Sequence, residues 1–382
     1  MIHSQSMPAS ESAHNVIDEG ERIMTICNAC RYCEGFCAVF PAMERRLSYA
    51  EADLNYLANL CHDCTECLHA CQYAPPHPFD VNVPKTLAQI RRRSYEKYCW
   101  PRPLGVLYRR AGPASVLGLA CLLLVLMLFA TAVFGPHGLS GSGRPADFYG
   151  IIPHAVLASV LGAVFLLVVA AMSVALRRYL QDTAGHLQSP AGSGLSAGLR
   201  DALSMRYLHS SGEDCSSAES LRTPWRRWFH HFTFYGFMLC FASTATATVY
   251  HVLLGRPAPY PWISVPVILG TLGGLGLIVG PLGLALNRRQ RDPVAADPER
   301  GLDRGFILAL LLTSATGLAL LAARTTPAMG VLLVVHLATV MTLFVTLPYG
   351  KFVHGLYRVA ALVQYARESR AARTDGAPHA VG

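Results

Sequence analysis

Six long segments of this chain contain no Asp, Glu, Lys or Arg, and no other feature constrains the possible folds as strongly. A helix needs ~20 mostly apolar residues to cross a bilayer, and each segment has about that length or more. Charged residues make up only 15% of the chain, whereas soluble domains average roughly 25%. Soluble enzymes, disordered chains and secreted disulfide scaffolds are therefore disfavoured, as are helices buried in a soluble core. The predicted membrane helices have cores near 114–134, 152–176, 230–254, 262–286, 305–323 and 329–347.

Lysine and arginine are distributed unevenly among the segments that connect these helices. Residues 91–110 and 177–228 carry seven each, and residues 287–304 and the tail from Lys351 carry five each. Each of the other connections carries a single arginine. If the helices alternate in direction, all basic-rich segments lie on one side, which the positive-inside rule assigns to the cytoplasm. We therefore predict a multi-pass protein of a bacterial inner membrane, with both termini and both long loops cytoplasmic.

Eight of the twelve cysteines form two copies of one motif before the first apolar segment. The copies are Cys27-x2-Cys30-x2-Cys33-x3-Cys37 and Cys61-x2-Cys64-x2-Cys67-x3-Cys71. This spacing is typical of bacterial two-cluster ferredoxins, in which the fourth cysteine of one motif ligates the cluster of the other. Zinc sites usually show pairs at wider separation, and disulfides are disfavoured in the cytoplasm. We predict two 4Fe–4S clusters, one held by Cys27, Cys30, Cys33 and Cys71, the other by Cys61, Cys64, Cys67 and Cys37.

The segment between the motifs predicts a helical domain. Ser48 and Glu51 have the spacing of a capping box, and apolar residues follow at helical intervals. The fold class is therefore all-α, with an α-helical two-cluster ferredoxin-like domain over 23–105 and a six-helix transmembrane domain over 111–358. Residues 1–22 are expected to form a flexible tail and residues 359–382 a cytoplasmic tail. Within the second motif, His62 and His69 are expected to be solvated or hydrogen-bonded.

Six histidines in or beside the apolar segments are candidate haem ligands: His154, His230, His231, His251, His336 and His354. Ionisable residues inside a membrane are functional candidates, although interfacial histidines are often only polar side chains. On a continuous helix, His336 and His354 would share a face, since they are five turns apart.

The expected depths pair histidines of the third and sixth helices. His231 and His354 lie near the cytoplasmic side, and His251 and His336 lie nearer the outer side. Each pair is therefore a candidate for the two axial ligands that a b-type haem requires. We therefore expect one or two haems, with His230 and His154 as alternative ligands.

The order of these parts suggests a path for electrons. The chain has no dinucleotide-binding glycine motif and no P-loop, so it must receive electrons from another protein. A membrane quinone is the expected acceptor, the bilayer is a second partner, and no nucleic acid is expected. A tricarboxylate transporter remains an alternative, although the chain lacks matching halves. A membrane-tethered iron–sulfur sensor is another.

Three parts of the sequence resemble one known family. They are the double cysteine motif, the stretch 201–208 with Cys215 soon after, and the stretch 228–243. Over roughly residues 20–365 the chain resembles the tricarballylate utilisation protein B family, also called citrate utilisation protein B. The resemblance implies a partner, an FAD-dependent tricarballylate dehydrogenase that forms cis-aconitate. It also implies that this protein reoxidises the reduced flavin and delivers electrons to quinone. A different flavoenzyme partner stays open.

Overall fold

The computed structural model describes residues 9–135, 137–140, 147–184, 194–208, 225–289 and 300–374. Within these ranges all regular structure is helical and there are no strands, which confirms the predicted all-α fold. Six helices precede the first apolar one: α1 (Ala9–Cys30), α2 (Val39–Glu44), α3 (Glu51–Leu60), α4 (Glu66–His69), α5 (Val83–Tyr98) and α6 (Arg102–Ala111).

Eight further helices follow: α7 (Pro113–Phe134), α8 (His154–Thr183), α9 (Leu195–Leu203), α10 (Trp225–Val252), α11 (Val265–Arg289), α12 (Arg300–Ala322), α13 (Met329–Thr346) and α14 (Val353–Thr374). Six of them, α7, α8 and α10 to α13, are long and apolar enough to cross a membrane. Each corresponds to one of the predicted segments.

The N-terminal domain packs around α3 and α5. Its core includes the fully buried side chains of Ile23, Leu54, Leu57 and Ile90. Helix α3 begins at Glu51, and its N-cap is the extended residue Ala50, which makes no side-chain hydrogen bond. The predicted capping box does not form, because Ser48 lies two residues before the N-cap position.

Two helices extend across the expected boundaries of the cluster domain and of the transmembrane domain. Helix α1 already begins at Ala9, and Gly20 lets it approach α5, since a Cβ there would lie 2.6 Å from Ile90 Cδ1. Helix α14 continues to Thr374, and its Leu362 is buried in the N-terminal core. The domain boundaries expected at 23 and 358 therefore fall inside helices, because each helix has an apolar face that the cluster domain covers. The remaining parts of the predicted tails, 1–8 and 375–382, lie outside the described residues.

Glycines bring α10 and α11 into close contact. A Cβ on Gly276 would lie 3.0 Å from Phe232 O, and one on Gly236 would lie 3.0 Å from Gly273 O. Small residues permit such close approach of membrane helices. The glycine-rich fourth apolar segment therefore serves helix packing.

The N-terminal domain lies at the end of the bundle that carries the basic-rich connections. Lys97 Nζ lies 2.9 Å from Asp182 near the C-terminal end of α8, and Lys351 lies 3.3 Å from Asp303 near the start of α12. At the start of α10, Arg226 reaches the second cysteine motif. The parts of the predicted loops at 185–193, 209–224 and 290–299 lie outside the described residues.

Candidate cluster sites and haem ligands

The second cysteine motif forms a pocket at the C-terminal end of α3. The loop turns back on itself through left-handed backbone conformations at Asp63 and Thr65, with φ of 54° and 70°. Four cysteines line this pocket: Cys37, Cys61, Cys64 and Cys67. The fourth thiol comes from the first motif, so the fold brings together the predicted second ligand set.

The other four cysteines of the two motifs include Cys27 and Cys30, which lie on the last turn of α1. Burial, and then the neighbouring thiols of Cys33, Cys71 and Cys30, raises the pKa of Cys27 to about 12. Burial, followed by Cys71 and Cys30, likewise raises the pKa of Cys33 to about 12. Cys71 of the second motif is therefore a neighbour of first-motif thiols, as the predicted first ligand set requires.

The chemistry of these sets suits iron–sulfur clusters. Iron binds the thiolate, whereas burial favours the protonated thiol and raises the pKa of Cys64 to about 11. Binding of a cluster therefore releases the thiol protons, and the affinity of iron for sulfur offsets the cost of removing them. Among the described residues, no three His, Cys, Asp or Glu side chains are arranged to hold a single metal ion. A cluster has a different requirement, since its four thiolates each bind a different iron atom.

Polar groups with unused hydrogen-bonding capacity surround the second set. Both ring nitrogens of His62 and the Nη1 of Arg358 are buried, without a hydrogen-bond partner among the described residues. Arg91 Nη1 donates to Cys61 O at 3.0 Å, and Arg226 Nη2 donates to His62 O and Asp63 O at 2.9 Å. The His62 ring is therefore neither solvated nor hydrogen-bonded within the described protein, which differs from the sequence-based expectation.

Two of the predicted haem ligands have one ring nitrogen already oriented. His354 Nδ1 donates to Lys351 O at 2.8 Å. His336 Nδ1 lies 3.1 Å from Thr316 Oγ1, which also lies 2.7 Å from Leu312 O and 3.1 Å from Thr339 Oγ1. Metal-binding histidines usually donate their second N–H to such an acceptor. In both residues this leaves Nε2 as the nitrogen for a ligand, so the side chains fit an axial role.

Two histidines of α10 differ from His354 and His336 in the surroundings of their Nδ1 atoms. The Nδ1 atoms of His231 and His251 are buried without a partner among the described residues. The ring of His231 stacks on Tyr235, with ring centroids 5.6 Å apart, and His230 precedes it on the same helix. The ring of His251 stacks on His154 at 4.0 Å, which joins one predicted ligand to its proposed alternative.

The expected shared face of His336 and His354 does not form. The two residues do not share one helix, because α13 ends at Thr346 and α14 begins at Val353. Their axial separation therefore cannot be calculated from residue number. The segments that carry His231 and His354 do approach each other, since Phe237 and Phe352 are in contact with ring centroids 5.1 Å apart.

Sequence reasoning missed the basic residues around the second motif. Arg358 follows His354 by one helical turn on α14, so a shared face was detectable only once that helix was recognised. Arg91 belongs to a run of three arginines and Arg226 to a pair, and neither pattern distinguishes the member that points inward.

These features define a class of protein: a cluster-binding, ferredoxin-like domain docked on one end of a bundle of six apolar helices. Comparison with known proteins agrees. The family model described as Citrate utilization protein B matches residues 109–375, and that of the Citrate utilization protein B Fer4-like domain matches residues 20–97. The Citrate utilization protein B of Escherichia coli is 50% identical over 360 residues, which cover 94% of each chain. The chain belongs to the citrate utilization protein B family. No solved structure matches it at a significant level.

Proposed function

We propose that this protein is a membrane-bound electron carrier that reoxidises a reduced flavoprotein dehydrogenase and delivers the electrons to quinone. The flavoprotein is an FAD-dependent enzyme that resembles tricarballylate dehydrogenase. The route includes two 4Fe–4S clusters and one or two b-type haems. The observation that carries the proposal is the convergence of eight thiols into two sets of four beside the membrane helices.

The reaction balances without a further reactant. Oxidation of tricarballylate to cis-aconitate releases two electrons and two protons, and reduction of quinone to quinol consumes the same number. When bound, the clusters and haem supply one-electron carriers between these two-electron partners. The chain holds them through Cys27, Cys30, Cys33 and Cys71 in one set and through Cys61, Cys64, Cys67 and Cys37 in the other.

Histidines of α10, α13 and α14 extend the route into the membrane domain. His354 and His231 are the proposed ligands nearer the cluster domain, and the contact of Phe237 with Phe352 supports this pairing. His336 and His251 are the proposed ligands farther away. The stacking of His154 on His251 supports His154 as the alternative there. His230 is the alternative to His231.

The proposed location is the bacterial inner membrane, with the cluster domain in the cytoplasm. The docking of this domain at the basic-rich end of the bundle supports that orientation under the positive-inside rule. A cytoplasmic flavoprotein then reaches the clusters without crossing the membrane.

The test uses membrane vesicles that contain the full-length protein, purified flavoprotein and tricarballylate. Quinone reduction should require this protein and should stop in Cys64→Ser. The matched control is Cys121→Ser, an exposed thiol on α7 outside both motifs, which should retain the wild-type rate. A reduced-minus-oxidised spectrum with iron, sulfide and haem analysis establishes the cofactor content of each preparation.

Each alternative predicts a different result. Accumulation of labelled tricarballylate without electron flow would replace the proposal by a transporter. Cluster reduction without quinone reduction would favour a redox sensor. Quinone reduction by another flavoprotein, but not by tricarballylate with its dehydrogenase, would retain the carrier and refute only the substrate.

A further inference from the structure

The two cysteine sets have different electrostatic surroundings. The guanidinium groups of Arg91 and Arg226 bond to the backbone of the second-motif loop at 2.9–3.0 Å. The guanidinium of Arg358 lies close enough to Cys61 and Cys37 to interact electrostatically with both thiols. Acidic residues lie near both sets, since Glu66 acts on Cys33 and on Cys64, and Asp63 acts on Cys61. The three guanidinium groups therefore distinguish the surroundings of the second set, although both sets have the same motif spacing.

Arg358 is the most informative of these cations because part of its hydrogen-bonding capacity is unused. Its Nη1 is buried without a partner among the described residues, although an unpaired buried charged donor is costly. Arg358 belongs to α14, one turn beyond His354, and its interaction with Cys61 and Cys37 places it near the second set although it lies outside the cysteine motifs. A sulfur acceptor at the second set would satisfy this donor.

His62, like Arg358, has hydrogen-bonding capacity that the described protein does not use. Its two ring nitrogens are buried and unpartnered, and its side chain lines the pocket together with Cys61 and Cys64. Arg226 donates to the carbonyl of His62 and thereby holds the loop in place. Two independent side chains, one from α14 and one from the motif itself, thus have buried nitrogens without a partner near the second set.

We propose that Arg358, assisted by His62, donates hydrogen bonds to the sulfur atoms of the second-set cluster and raises its reduction potential above that of the first-set cluster. The inference rests on the proposed binding of two clusters. Reduction adds negative charge to a cluster, and both nearby positive charge and hydrogen bonds to sulfur stabilise the reduced state. Electron transfer from the first-set cluster to the second-set cluster is then favourable, and the second-set cluster is the one that adjoins α10 and α14.

The test is a redox titration of the purified holoprotein, followed by electron paramagnetic resonance. In Arg358→Gln the potential of the second-set cluster should fall while that of the first-set cluster stays within error. The expected decrease is at least about tenfold in the equilibrium constant for one-electron reduction, or about 59 mV. Arg358→Lys retains the charge and should recover part of the shift. Arg373→Gln, an exposed arginine of the same helix, is the matched control and should shift neither potential.

A second measurement covers the case in which Arg358→Gln fails to assemble. In the wild-type background, Cys61→Ser should alter the signal of higher potential, and Cys30→Ser should alter the signal of lower potential. The reverse assignment, or equal potentials, would overturn the proposal, as would an Arg358→Gln variant with full clusters and unchanged potentials. Chemical reductants are used throughout, so these results do not depend on the flavoprotein. A failure of the proposed electron route would appear only in the vesicle assay.

Discussion

The two cysteine motifs have the same spacing but lie in different surroundings. The turn of the first motif is open to solvent, and Tyr32 within it is 59% exposed. The loop of the second motif is covered, with α5 on one side and the starts of α10 and α14 on others, through Arg91, Arg226 and Arg358. Identical ligand chemistry is thus combined with one accessible site and one enclosed site.

The spacing of a cysteine motif and its surroundings therefore carry separate information. Spacing identifies which residues can ligate iron, whereas the surroundings determine which cluster can meet a soluble partner and which adjoins the membrane helices. The accessible first motif suits electron entry, and the enclosed second motif suits transfer toward α10 and α14.

The largest expected effect is the loss of a cluster by removal of the cysteine that belongs to the opposite motif. Cys71→Ser should eliminate or convert the cluster of the first set, because the thiol of Cys71 is a neighbour of Cys27 and Cys33. Cys37→Ser should do the same to the second set, whose pocket Cys37 lines. Electron paramagnetic resonance of the reduced variants, with iron and sulfide analysis, identifies the altered signal.

A matched control separates local damage from general misfolding. Cys99→Ser changes a buried thiol outside both motifs and should leave both signals intact. If Cys71→Ser instead altered only the cluster of its own motif, the exchange of ligands between motifs would be wrong.

The next largest effect is expected when a proposed haem ligand is removed. His354→Ala should remove or shift a b-type absorption band, since His354 is oriented by Lys351 O and leaves Nε2 for the iron. The cluster content should be unchanged, because neither cysteine set includes this residue. His69→Ala, an exposed histidine of the cluster domain, is the control and should change neither spectrum. A wild-type protein that contains full clusters but no haem would contradict the histidine assignment.

The helical architecture was predictable because its signals are local. The absence of charge over six long segments predicts membrane helices, and the repeated motif predicts the ligands. The helix between the motifs was also predictable from its apolar interval, although its first residue was not capped as expected. Ala50 takes the N-cap position and makes no side-chain hydrogen bond there.

The contacts between distant segments were not predictable. Arg358 follows His62 by almost three hundred residues, and only the packing of α14 on the cluster domain brings the two to one site. The break between α13 and α14 is signalled by Pro348 and Gly350, but the spacing of His336 and His354 was counted as if one helix continued through them. Periodicity describes a single element, whereas these features depend on how several elements meet.

A smaller effect is expected for the ion pairs that hold α14 on the cluster domain. Arg46 lies 2.7 Å from Asp53 and 2.8 Å from Glu368, and its side chain is only 10% exposed. Arg46→Gln should lower the free energy of unfolding by about 3 kcal/mol, because two carboxylates lose a partially buried partner. Arg45→Gln is the control, since Arg45 is more exposed and lies 3.6 Å from Glu368, which predicts about 0–1 kcal/mol. Thermal unfolding of the two holoprotein variants under identical conditions measures both losses of stability. Equal losses for Arg46→Gln and Arg45→Gln would contradict the larger contribution assigned to Arg46.

The smallest expected effect concerns the tyrosines between the enclosed side of the cluster domain and the membrane helices. The rings of Tyr98 and Tyr357 are in contact, with centroids 5.8 Å apart, and the Tyr98 hydroxyl donates to Asp182 of α8. Tyr98→Phe keeps the ring but removes this donor from a carboxylate that also has Lys97. We expect a loss of about 1 kcal/mol.

Tyr357→Phe provides the comparison, because its hydroxyl is buried without a hydrogen-bond partner among the described residues. Removing an unsatisfied buried hydroxyl should leave stability unchanged or increase it, since nothing in the described protein compensates for its desolvation. Unfolding of the two variants in parallel measures the difference directly. If Tyr357→Phe were the more damaging of the two, the bond to Asp182 would not be what joins the cluster domain to α8. The ring contacts would then account for the docking, and the enclosure of the second motif would depend on packing rather than on a polar link.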